Sequence, residues 1–535
     1  MGNDLEFLIG LLGAVALFAW LAQAAGLPYP IVLFAAGISL GYVPGLPAVH
    51  LDPDIIFLVF LPPLVHAAAY ATSITTLRRD AGPISVLAIG GVAATVAAVA
   101  VVAHALVDGL SWEMAFVLGA AVAPTDTVAA TSIFRRMGVP ERVTSIVEGE
   151  SLVNDGIALV LYRIAAAAAT SGAFSLLDGA GDLLLTGAGG AAVGLVAGYA
   201  IAWVRRRLDD PMIEITLTLV TPYLAYVPAE ELHLSGILAA VTSGLYLGHL
   251  EPELFSPTTR LQARSFWTVL VFILESLLFI LIGLQLPEVL DALHGVSAGD
   301  IALWSAAVSG AVIAVRLAVA LAARGSPPVT RAERVAIGWS GMRGAVSLGA
   351  ALAIPLTTDA GGALPGRDLV LVLTMAVIGV TLVLQGLTLP RLVGRLGICE
   401  TVTSERRIAM ARFRTVEAAL MGIAELGRRD DGVPADVVER ARTMYANRAR
   451  QIAGLCRAGV PVDEEGNEDA WRRLRRELLE VERASLLQLR DQGEVTAAVV
   501  AEVEHELDLE AARLAPPRPG DERAPAVRLR APLRR

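Results

Sequence analysis

The stretch Ile146–Arg163, IVEGESLVNDGIALVLYR, governs how the rest of the chain is read. Its apolar ends suit a membrane-spanning helix, yet Glu148, Glu150, Asn154 and Asp155 lie within it. An ionisable group at mid-membrane costs about 3 kcal/mol on insertion scales and marks a functional position by default. On a helix, Glu150 and Asn154 are four residues apart, as are Ser151 and Asp155, so the four share one stripe. Leu152, Val153, Leu159 and Val160 take the other side. A carboxylate, an amide oxygen and a hydroxyl on adjacent turns make an oxygen-ligand patch, which suits a hard cation such as Na+.

The surrounding composition is that of an all-α polytopic membrane protein. Of 535 residues, 55% are hydrophobic, and the mean hydropathy is +0.61; soluble domains rarely exceed half apolar. About 20 apolar residues cross a bilayer core of about 30 Å. Thirteen spans are expected, near 5–25, 29–45, 54–71, 83–107, 113–134, 143–163, 181–204, 212–228, 233–250, 265–286, 300–323, 335–356 and 368–390. Alternate loops carry the arginines: Arg78 and Arg79; Arg135, Arg136 and Arg142; Arg205 to Arg207; Arg260 and Arg264; Arg324, Arg331 and Arg334. The intervening loops are acidic, with Arg367 the main exception. The positive-inside rule then predicts an outside N-terminus and a cytoplasmic C-terminus. The opening MGNDLEF has no basic residue before the first apolar run, which argues against a cleavable signal peptide.

Residues 1–397 form the expected transmembrane domain, 398–514 a cytosolic helical tail and 515–535 a Pro- and Arg-rich disordered end. Amphipathic helices are predicted at 403–426, 468–492 and 495–514. The tail has no Gly-rich phosphate loop, zinc spacing or nucleophile elbow, so a regulatory or assembly role without cofactor or nucleic acid is expected. Cys399 and Cys456 form no metal spacing and are expected to be reduced structural thiols.

Two spans are interrupted. In VLGAAVAPTDTVAATSIF (117–134), Pro124 removes a helix hydrogen bond and pushes Ala123 out of helical geometry, just before Thr125, Asp126 and Thr127. In GWSGMRGAVSLGAALAIPL (338–356), Gly341, Gly344 and Gly349 surround Arg343. Broken backbone at membrane depth is tolerated where it lines a protein cavity. Interrupted spans at matching positions of two repeats mark a transporter's ion site. The spacing predicts two inverted six-helix repeats around the seventh span, with crossed broken helices. Asp126 and Asp155 read as functional carboxylates, and Glu150 with Arg316 as a structural ion pair. Glu275, in FILESLLFILIGL, suits either a structural hydrogen bond or a place at the cavity. His66, in LPPLVHAAAY, reads first as an ordinary interior histidine.

APTDTVA (123–129), EGESLVNDGIALVLY (148–162), GMRGAVSLGAAL (341–352), LPPLVHAAAY (61–70) and FILESLLFILIGLQL (272–286) resemble monovalent cation/proton antiporter family 1. These are bacterial and archaeal sodium/proton antiporters, relatives of animal sodium/hydrogen exchangers, and the resemblance runs over about residues 5–395. It implies a homodimer in lipid and an elevator-like motion of a core built from spans four to six and eleven to thirteen. It implies Asp155 as the carboxylate that binds ion and proton. Thr125 and Asp126 would lie in the unwound crossing, Ser151 would be a further ligand of Na+, and Asn154 their neighbour. Arg343 would lie in the second crossing. The implied function is electroneutral exchange of Na+, and of Li+, for H+, serving internal pH and sodium balance. One departure is plain: some archaeal relatives carry a glutamate two residues after LPPLL, where this chain reads Val65, His66 and Ala67. A potassium/proton exchanger is the nearest alternative. A cation channel would need a continuous pore, and an enzyme a nucleophile–base pair that the spans do not show.

Overall fold

The computed structural model describes residues 2–44, 56–171, 176–292, 296–323, 329–398, 413–424 and 435–456, with residues 478, 482 and 507 beyond. Among them there is no strand, only an isolated bridge between Thr357 and Ala363. Among the described residues, eight helices are long and apolar enough to cross a membrane: Glu6–Ala25, Ala81–Leu106, Glu141–Ser171, Leu185–Arg205, Pro211–Glu231, Thr259–Leu290, Ala298–Ala322 and Arg367–Leu396. Tyr29–Gly41, Phe57–Ala71 and Trp112–Ala121 are shorter apolar helices. The chain is a multi-pass helical membrane protein.

Several boundaries depart from the hydropathy reading. The second helix ends at Gly41 after 13 residues, about 20 Å at 1.5 Å per residue. The helix expected at 265–286 runs from Pro257 to Ala292. Charged Arg260 and Arg264 end the apolar run there, but arginine is a good helix former, so the backbone continues past the hydrocarbon. The Glu141–Ser171 helix likewise outruns 143–163 at both ends.

Helix ends follow local chemistry. Ser111 accepts from the Met114 N–H at 3.2 Å and starts Trp112–Ala121. Thr330 and Glu333 form a capping box at Arg331–Trp339. Gly138, at φ 67°, ends Val128–Met137 in the left-handed conformation that glycine adopts freely. The Tyr29–Gly41 and Pro257–Ala292 helices meet backbone to backbone at Gly37 and Gly283. A Cβ on Gly283 would stand 2.7 Å from the Ile38 nitrogen and 2.9 Å from the Gly37 Cα. Small residues permit such close approach in membranes, and this crossing sets the register of Tyr29 against Glu275.

The chain divides into two compact units, Met1–Ile398 and Cys399–Arg535. The first holds the main apolar core, including Leu118, Phe134, Ile146, Phe279 and Leu373. In the second, Val416 is buried among Phe413, Leu420, Tyr445 and Ala449. Those last two lie on Ala435–Cys456, a helix missing from the predicted tail elements. Its signal is weak, since Tyr445 and Ala449 alone supply a four-residue apolar step to this cluster. Cys399, most of 468–492 and 495–514, and all of 515–535 lie outside the described residues.

Candidate cation site

The first interruption runs between Trp112–Ala121 and Val128–Met137, the second between Arg331–Trp339 and Ala345–Leu352. A break exposes carbonyls that membrane interior cannot hydrate, so each needs a partner. Arg343 Nη1 donates to the carbonyls of Ala123 (2.6 Å) and Pro124 (2.8 Å). The Ser347 hydroxyl also reaches Pro124 O, at 3.5 Å. Ser151 Oγ donates to the Thr125 carbonyl at 2.7 Å. The breaks are joined directly by the Asp126 N–H, which donates to Met342 O at 2.8 Å. Arg343 is fixed in turn by its own N–H, which donates to Thr381 Oγ1 at 3.1 Å.

Asp126 lies between two helix starts. Its Oδ1 accepts from the Val128 N–H at 2.9 Å. Its carboxylate also rests on Gly344, which precedes Ala345–Leu352, so closely that a Cβ there would overlap it. Partial positive charge at both N-termini stabilises an anion in this position.

The long Glu141–Ser171 helix supplies the opposite wall. Asn154 and Thr125 bond reciprocally: the Thr125 N–H donates to Asn154 Oδ1 at 3.3 Å, and Asn154 Nδ2 donates to Thr125 Oγ1 at 2.7 Å. Glu150 is fully buried and accepts from both Nη1 and Nη2 of Arg316, itself 4% exposed. Its charge is thus spent inside the protein. Asp155, one turn on, is buried, and its Oδ1 has no hydrogen-bond partner. Thr125 and Ser151 keep oxygen lone pairs free to bind a cation. A cavity of about 670 Å³ is lined by Thr125, Asp126, Ser151 and Asp155, and by Tyr29, His66 and Glu275. Arg135, Arg205, Arg260 and Arg264 also line it.

A buried carboxylate oxygen without a partner on a cavity, beside two broken helices, fits the ion site of a transporter. The sodium/hydrogen exchanger transmembrane model matches residues 12–395. The chain belongs to the sodium/hydrogen exchanger family. It is 32% identical over 529 residues to an uncharacterised Na(+)/H(+) exchanger of Mycobacterium tuberculosis, covering 96% of each chain. It is 32% identical over 384 residues to the Na(+)/H(+) antiporter ApNhaP of Aphanothece halophytica, covering 70% of each. The fold is similar to that of the sodium proton antiporter MjNhaP1 from Methanocaldococcus jannaschii at pH 8. The TM-score is 0.60 at 18% identity, over 74% of this chain and 100% of that one. The family is one of transporters rather than enzymes.

In this member of the family the structure brings Thr125, Asp126, Ser151, Asn154, Asp155 and Arg343 into one bonded or cavity-lining group. His66 is buried, but its Nδ1 lies 3.2 Å from both Ala240 O and Ser243 Oγ, partners away from the carboxylates. Glu275 accepts from the Tyr29 hydroxyl at 2.6 Å. Sequence reasoning missed Tyr29, Ser347 and Thr381. Ser347 lies in the same interrupted span as Arg343, and so had a signal. Tyr29 and Thr381 had none, because each enters through another span.

Proposed function

We propose that this chain exchanges Na+ for H+, and Li+ for H+, by alternating access with both cargoes competing at Asp155. One observation carries the reading: Asp155 has an unpartnered buried oxygen on the cavity, whereas Glu150, one turn away, is neutralised by Arg316. A single free carboxylate releases one proton for each cation it takes up, so the exchange is electroneutral. Thr125, Ser151 and Asp126 complete the oxygen set around the cation, and Asn154 holds Thr125 in place. Glu150 and Arg316 are structural, and Arg343 ties the two breaks together.

The rest of the architecture follows from this reading. Thirteen spans arise when each broken pair counts as one, in two inverted repeats around Leu176–Arg205. The N-terminus lies outside and the C-terminus inside the bacterial cytoplasmic membrane, and the protein acts as a homodimer in lipid. The cavity reaches from Asp155 to Arg135, Arg205, Arg260 and Arg264, which belong to the loops expected in the cytoplasm, so this conformation faces inward. The unit from Cys399 onward is regulatory.

The test is proton flux in proteoliposomes driven by Na+, Li+ or K+ gradients, for the natural protein and Asp155→Asn. Na+-driven flux is expected in the first and none in the second, with both proteins equally well folded. Exchange by well-folded Asp155→Asn refutes the reading, and flux with K+ alone replaces Na+ as cargo.

A further inference from the structure

Five acidic residues line the cavity: Asp126, Glu148, Asp155, Glu251 and Glu275. Two have arginine partners, Glu148 with Arg135 at 2.9 Å and Glu251 with Arg260 at 3.7 Å. The other three form no ion pair among the described residues. Asp126 and Asp155 belong to the site already described. Glu275 stands on the Pro257–Ala292 helix, and its Oε2 accepts a 2.6 Å hydrogen bond from the hydroxyl of Tyr29, itself a cavity residue. One neutral donor leaves most of the roughly four lone-pair positions of a carboxylate unused. A carboxylate 9% exposed, deep in a spanning helix and with no cationic side chain paired to it among the described residues, marks a functional position.

Two further observations point to a ligand in the same space. Asp155 Oδ1 is buried and unpartnered on this cavity. Asp126 and Glu275 line the same cavity, one from the first break and the other from the Pro257–Ala292 helix, so carboxyl groups face it from two separate elements. Meanwhile Arg135, Arg205, Arg260 and Arg264 line the same cavity. Arg135 and Arg260 are held by Glu148 and Glu251, but Arg205 and Arg264 form no ion pair among the described residues; such cations oppose the entry of a cation, and a further carboxylate on the cavity wall offsets them.

The geometry points to Glu275 as a second binding position for the monovalent cation cargo, a waiting site in the cavity that feeds Asp155. Tyr29 is a positioning residue that holds the carboxylate in place. This rests on the exchange reading. A cation paused at Glu275 neutralises it, then passes to Asp155 when the proton leaves. Glu275 takes no part in the proton count, so its charge sets how readily the cation is gathered rather than how fast the loaded carrier turns over.

Two variants separate charge from hydrogen bond. Glu275→Gln removes the charge but keeps an oxygen to accept from Tyr29; Tyr29→Phe removes the hydrogen bond and keeps the charge. In Na+-driven proton flux, Glu275→Gln is expected to raise the KM for Na+ about tenfold with a smaller change in kcat, the loss of one nearby attractive charge. Tyr29→Phe raises KM less. Na+ titration of thermal stability in detergent should shift in the same order. An unchanged KM in Glu275→Gln overturns the proposal, because a structural glutamate leaves affinity alone. Loss of kcat at constant KM also overturns it and puts Glu275 in the proton step. The natural protein and Asp155→Asn run alongside. A silent natural protein means that the exchange reading has failed, and the Na+ titration of stability then still decides whether Glu275 binds the cation.

Discussion

Neutralising Glu150 or Arg316 singly should destabilise the protein far more than neutralising both. Arg316 extends from Ala298–Ala322 and donates through two nitrogens to the two oxygens of Glu150. Glu150 is fully buried and Arg316 4% exposed, so solvent screening is small and neither can find water alone. A Cβ on Gly341 would stand 2.6 Å from Arg316 Nε, so the guanidinium is also pressed against the second break. The pair therefore joins the Glu141–Ser171 helix, the Ala298–Ala322 helix and the break. Removing one partner of a buried pair leaves an uncompensated charge, at a cost of about 3–5 kcal/mol. Glu150→Gln and Arg316→Gln should each lose about that much. Replacing a whole buried pair by neutral groups is often close to harmless, so the double variant should recover at least about 2 kcal/mol relative to the sum of the singles. Thermal melting in detergent, followed by tryptophan fluorescence and run as a double-mutant cycle, measures the coupling. Single variants that melt like the natural protein, or a double variant that loses the full sum, would refute the reasoning. Single variants with unchanged melting and no exchange would move both residues into the transport step.

Gly344→Ala should push the Asp126 carboxylate off its seat, since the new methyl group would stand 2.7 Å from Asp126 Cγ. Such overpacking costs about 1–3 kcal/mol, and Na+-driven proton flux should drop about tenfold or more in protein that still inserts. Unchanged flux would show that the break accommodates the side chain. Membrane voltage should not move the balance point between a Na+ gradient and a pH step in proteoliposomes clamped with potassium and valinomycin. A second moving charge would be worth about 2.3 kcal/mol per 100 mV, and any shift of that size means that Asp126 or Glu275 also titrates. Truncation after Gly397 should leave exchange intact but change its pH profile, because the breaks and the cavity all lie before Ile398. Loss of all exchange from a correctly inserted truncate would assign the tail a part in transport.

The sequence by itself determined the class of molecule. Apolar runs of membrane length, the missing N–H of Pro124 and the glycines around Arg343 are local signals, and they act locally: helices form over the apolar runs and stop at residues 122–127 and 340–344. The helical stripe of Glu150, Ser151, Asn154 and Asp155 was legible for the same reason, since 3.6-residue periodicity needs no partner. Helix ends were less legible. Hydropathy marks where hydrocarbon ends, but Arg260 and Arg264 continue the helix into a more polar zone.

Tertiary structure alone decided which groups meet. Arg343 and Ala123 are 220 residues apart, Tyr29 and Glu275 are 246 apart, and Arg316 and Glu150 are 166 apart. No pattern within either partner's span encodes such a pairing. It depends on which helices cross and how closely, as Gly37 and Gly283 do for Tyr29 and Glu275. The fate of each buried charge follows from that packing. Glu150 and Asp155 are both carboxylates on one helix, five residues apart. Only the arrival of Arg316 beside one of them leaves the other as the one with an unpartnered oxygen on the cavity.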